Sequence, residues 1–124
     1  MLGPFLLRLP TNQRLMKIVK IAAALKRLKK INGEIRYLSC FEQEHFTSGL
    51  IAFKPAKKAN SKQISHDDQD VLCQVLQGSG RLRIDGRSIR LDPGSLCHIP
   101  KKTPHDFAAG RSGELVLFYL LIKT

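Results

Sequence analysis

The apolar positions along this chain change their period once, near residue 33. Before that point Ile18, Ile21, Ala22, Leu25 and Leu28 recur at helical spacing, while Lys17, Lys20, Arg27 and Lys30 fall mostly elsewhere. The spacing predicts a basic amphipathic helix over 16–33, closed by Asn32-Gly33, two residues that tolerate left-handed backbone. After it, apolar residues alternate or cluster in short blocks at 34–39, 48–54, 70–76, 81–84, 88–91, 96–99, 105–108 and 114–122. Gly78-Ser79-Gly80, Asp85-Gly86 and Asp92-Pro93-Gly94 separate several of these blocks, and Asp-Gly is a favoured two-residue hairpin turn. Short strands at this spacing predict an all-β sandwich or barrel over 34–124. Residues 1–15, with two prolines and no sustained period, read as a poorly ordered lead-in. Residues 56–65 read as a basic, polar loop leading to His66.

At 124 residues and 43% apolar content the chain is sized for one hydrophobic core. No apolar run approaches the ~20 residues that cross a bilayer, and 114–122 suits a buried strand. The net charge of +11 is unevenly placed. Eight of the 21 Lys and Arg lie in residues 1–31 with no Asp or Glu among them, so the rest of the chain nets only +3. The expectation is a helix packed outside the sheet or on a partner subunit. Docking to nucleic acid or an anionic membrane through residues 1–31 is the lesser alternative. Cys40, Cys73 and Cys97 are odd in number and form no CxxC pair, which predicts reduced thiols in a cytoplasmic protein. The apolar stretch at 5–7 is too short for a secretory signal.

The histidines and carboxylates concentrate in 66–105. His66 sits beside Asp67 and Asp68, with Asp70 close behind, and His105 follows a proline turn. His98 lies within an apolar strand and reads as a core or cavity residue, whereas His45 lies in a polar connection. Gln74 is four residues beyond Asp70 and so shares its strand face, which makes Gln74 and His98 candidates to line a pocket.

Val75-Leu76-Gln77-Gly78-Ser79-Gly80 resembles the end of the first motif of the cupins. Leu91-Asp92-Pro93-Gly94-Ser95-Leu96, followed by Ile99-Pro100 and Thr103-Pro104-His105, is similar to their second motif. The resemblance covers residues 48–122 and implies a double-stranded jelly-roll β-barrel. It also implies a metal set of two histidines and a carboxylate from the first motif and a histidine from the second. His105 keeps the second-motif position. His66 matches one first-motif histidine, but Ile64 stands where its partner belongs, and Asp70 is the best match to the carboxylate at a spacing to Gly78 one residue too long. Lys102 replaces the glycine usual between Pro100 and His105. The ligand set so implied is His66, Asp70 and His105, open to Fe, Mn, Ni or Zn. The function it implies is a metal-binding cupin acting on a small organic molecule inside the barrel, by dioxygenase, isomerase or decarboxylase chemistry. The alternative is a non-catalytic small-molecule-binding or sensor cupin with a degenerate metal site. Either is expected to be a homodimer.

Overall fold

The computed structural model describes residues 16–55 and 65–124, and its architecture follows the turn signals closely. The strands are β1 (Lys29–Lys30), β2 (Ile35–Glu42), β3 (Phe46–Phe53), β4 (Gln69–Gln77), β5 (Gly80–Ile84), β6 (Arg87–Leu91), β7 (Leu96–Ile99), β8 (His105–Ala109) and β9 (Leu115–Lys123). They form a six-stranded sheet ordered β1-β2-β3-β9-β4-β7 and a three-stranded sheet ordered β6-β5-β8, with every pairing antiparallel. The lead-in over 1–15 and most of the 56–65 loop lie outside the described residues.

The β5–β6 hairpin turns on Asp85 and Gly86 at φ 52° and 71°, the two positive values that a type I′ turn requires. At Gly80 the small sheet closes tightly: a Cβ there would overlap the carbonyl oxygen of Ala108. Strand alternation then sorts the side chains. Val71, Cys73 and Val75 of β4, Leu115 and Leu117 of β9, and Ile99 of β7 face Leu82, Ile84 and Leu91 of the small sheet as one buried core. Each fully buried aliphatic side chain here contributes about 1.5–3 kcal/mol.

The predicted helix over 16–33 is far shorter in the structure. It forms only as α1 (Ile21–Ala24) running into a 3-10 turn at Leu25–Arg27. Its N-cap position is Lys20, which offers no side-chain acceptor, and its first turn has no acidic residue. Leu28 is already extended, and Lys29 and Lys30 pair with Tyr37 and Arg36. Asn32-Gly33 therefore turns β1 into β2 instead of capping a helix: Asn32 Oδ1 accepts the N–H groups of Glu34 and Ile35 at 2.7 and 3.0 Å. The apolar residues that gave the helical period are used all the same. Ala24, with Val19, Leu25 and Leu28 packed near it, covers Cys40, Leu50 and Leu38 on the outer face of the large sheet. Among the described residues no helix is long and apolar enough to cross a membrane.

Candidate functional site

Two strand starts and one turn build the site. His105 opens β8 opposite Ile84 of β5 and faces the interior with its strand neighbour two places on, Phe107. It is 2% exposed, and its ring meets Phe107 edge-on at 6.0 Å; Phe107 in turn lies 5.6 Å from Phe53 of β3. His105 Nδ1 donates to the carbonyl of Thr103 at 2.8 Å. A carbonyl only accepts, so Nδ1 carries a proton, and in the neutral tautomer so fixed Nε2 presents a lone pair.

His66 lies just before β4 and is half-buried. Its ring centroid is 6.0 Å from that of His105, with the planes tilted by 37°. Backbone geometry holds the two in place: the Lys102 N–H donates to the His66 carbonyl at 2.6 Å, joining the His66 segment to the turn that precedes His105. Lys102 has φ 65°, in the left-handed region that favours glycine. Burial, and then the neighbouring His105, depress the His66 pKa below its usual 6.5, against an opposing pull from Asp68. Near neutral pH His66 is thus an uncharged imidazole.

The structure brings His66 and His105 together and places Asp70 elsewhere. On β4 the side chains of Val71, Cys73 and Val75 enter the core, so Asp70, Leu72 and Gln74 point outward. Asp70 Oδ2 pairs with His98 Nε2 at 3.0 Å, and Oδ1 accepts the Lys101 N–H at 2.9 Å. These two hydrogen bonds, that from His98 first, hold its carboxyl below the ordinary aspartate range. The inward position nearest the expected carboxylate is Val71, 5% exposed in the core. Among the described residues no three His, Cys, Asp or Glu side chains converge as a metal set. The donors present therefore do not fit the three-ligand centre that the family resemblance implies.

Gln74 and His98 stand at exposed positions of β4 and β7. With Leu72, Leu96, Phe118 and Leu120 they border a groove of about 430 Å³ on the outer face of the large sheet. The inference that Gln74 shares the face of Asp70 holds; that face is the outer one. Asp106, next to His105 on β8, also turns away from the interior and accepts from Arg83 Nε at 2.8 Å. Thr103 and Lys102 are the site residues that composition did not mark, because they act through backbone groups. The inward position of Val71 was readable in principle from the Val71, Cys73, Val75 alternation.

Comparison with known proteins fits this geometry. A family model described as a cupin domain matches residues 49–122. No curated protein matches the chain. Among solved structures, the TT1209 protein of Thermus thermophilus is similar at 23% identity and a TM-score of 0.70, over 87% of this chain and 98% of that one. The cupin domain of Cnp3 from Schizosaccharomyces pombe is similar at 15% identity and a TM-score of 0.73, over 90% and 77%. A predicted oxalate decarboxylase from Thermotoga maritima is similar at 14% identity and a TM-score of 0.66, over 74% and 83%. At these identities the likeness is one of fold.

Proposed function

This chain belongs to the cupin family, and from that premise we propose that it is a small-molecule-binding barrel without a resident metal. The observation that carries the reading is the engagement of Asp70 by His98 and Lys101 on the outer face, which turns its carboxylate away from the two imidazoles inside. The site so described has a polar end and an apolar wall. His105, its Nδ1 tied to the Thr103 carbonyl, turns Nε2 to the site, and His66 is a neutral imidazole able to donate or accept. Phe107 and Phe53 supply flat apolar surface next to them. The ligand class that matches is an uncharged, hydroxyl-bearing molecule with a compact apolar body.

The test is elemental analysis of the purified protein after incubation with Fe(II), Mn(II), Ni(II) and Zn(II), beside thermal-shift screening against hydroxylated small molecules. The expected result is substoichiometric metal and a stabilising hit whose effect disappears in His66→Ala and His105→Ala but persists in Asp70→Ala. Near-stoichiometric metal, lost in both histidine variants, would overturn the reading and return the site to the metal-dependent dioxygenase, isomerase or decarboxylase class that the neighbouring oxalate decarboxylase represents. A homodimer remains the expected assembly. Leu96 (78% exposed) and Leu72 (39%) on the outer face are its natural contact surface, and light scattering of Leu96→Glu against the parent protein tests it.

A further inference from the structure

Cys73 and Cys97 are directly opposed residues on β4 and β7, 24 positions apart in sequence and made neighbours by the antiparallel register. Opposed residues of an antiparallel pair share a face and have Cα atoms about 4.5–5.5 Å apart. That spacing falls inside the window of about 4.4–6.8 Å that disulfide-bonded cysteines usually span. Both are free thiols. Their surroundings differ. Cys73 is buried at 4% exposure among the core residues, with Tyr119 on its other flank. Cys97 is half-buried and lines a cavity of about 590 Å³ between β7 and the β5–β6 hairpin, together with Leu82, Ile84, Leu91, Pro100 and Thr103. Cys97 is therefore the more exposed of the two thiols, and Cys73 stands opposite it on the neighbouring strand.

We propose that Cys97 and Cys73 form a modification site for hydroperoxides, Cys97 as the reacting thiol and Cys73 as the resolving one. In the first step the Cys97 thiolate attacks the distal peroxide oxygen. The O–O bond breaks, Cys97 becomes a sulfenic acid, and the departing oxygen takes a proton to leave as water or an alcohol. In the second, Cys73 sulfur attacks Cys97 sulfur, the S–O bond breaks, and the hydroxyl leaves as water with the Cys73 proton. Overall, two thiols and one hydroperoxide give one disulfide, one water, and one further water or alcohol. Hydrogen bonding between the facing thiols favours this order. It lowers the Cys97 thiol to about 7 against that residue's own desolvation, while holding that proton, together with burial, pushes Cys73 up. Cys40 takes no part: it is buried in the separate cluster behind the large sheet.

The experiment treats the full-length folded protein with hydrogen peroxide, then measures intact mass, native and denatured thiol counts, and disulfide-linked peptides. The expected result is a loss of about 2 Da, two thiols consumed out of three, a Cys73–Cys97 linked peptide, and full reversal by dithiothreitol. In Cys73→Ala, Cys97 is expected to accumulate as a sulfenic acid trapped by dimedone. In Cys97→Ala, Cys73 is expected to stay reduced. The parent measurement needs no variant to fold. Persistence of all three thiols in the folded protein, conversion of Cys97 directly to sulfinic acid, or a bond through Cys40 or between chains would each overturn the proposal.

Discussion

Lys102 is the position where sequence and backbone disagree most plainly, and replacing it with glycine isolates one physical effect. Its φ of 65° lies in the left-handed region, where a residue bearing a Cβ costs about 1–2 kcal/mol. Glycine removes that cost but has more backbone freedom to lose on folding, about 0.5–1 kcal/mol. The Lys102 side chain is exposed and makes no hydrogen bond among the described residues, and the N–H that holds the His66 carbonyl at 2.6 Å is retained. The net expectation is a stabilisation of about 0.5–1 kcal/mol. With an unfolding entropy of about 2.1 cal/mol/K per residue over 124 residues, that raises Tm by about 2–4 °C. Differential scanning calorimetry of Lys102→Gly beside Lys102→Ala is the assay. The alanine variant keeps the strained φ and should not gain. A lower Tm for the glycine variant, or an equal rise in both, would show that backbone strain at this turn is not what the lysine costs.

Three further outcomes follow from the same geometry. Gly80→Ala drives a Cβ into the Ala108 carbonyl and the Leu115 side chain, and should cost about 2–3 kcal/mol in urea denaturation with an unchanged m-value. Leu117→Ala opens a cavity at a core position only 1% exposed and should cost about 2–5 kcal/mol by the same measurement. For pH, the folded His66 binds its proton less readily than the unfolded chain, whose value is near 6.5. Its contribution is thus fully present above that value and is lost as pH falls through 6.5 toward the depressed folded pKa. Unfolding titrations between neutral pH and pH 5 should show this slope in the parent protein and a smaller one in His66→Gln.

Much of the fold was legible because its turns carry their own chemistry. Asp85-Gly86 and Asp92-Pro93-Gly94 bracket strands of four or five residues, leaving little room for another assignment. The N-terminal helix was misjudged in extent because periodicity reports which residues need burial and not how the backbone delivers them. Ala24, Leu25 and Leu28 reach the back of the sheet from one short turn and an extended segment. At the site, the motif positions single out His66 and His105, whose rings the structure sets side by side, and Asp70, whose side chain it places on the opposite face of β4. A one-residue change of phase moves a side chain to the opposite face, and the Asp67-Asp68 segment before β4 hid that phase from counting. The Cys73–Cys97 pairing was not legible, since it depends on which strand lies beside β4.

The two-residue strand β1 has a bearing on solubility. A sheet whose outermost strand exposes unpaired N–H and C=O groups is a template for adding a strand from another molecule, and repeated addition leads to aggregation. Here the six-stranded sheet ends on one side in Lys29 and Lys30, both exposed, and on the other in the four residues of β7. An incoming strand adding to β1 itself would find two residues to pair with and two adjacent positive charges to approach. Replacing both lysines with β-branched apolar residues would lengthen and neutralise that border, giving the sheet the flat, sticky margin that its present sequence withholds.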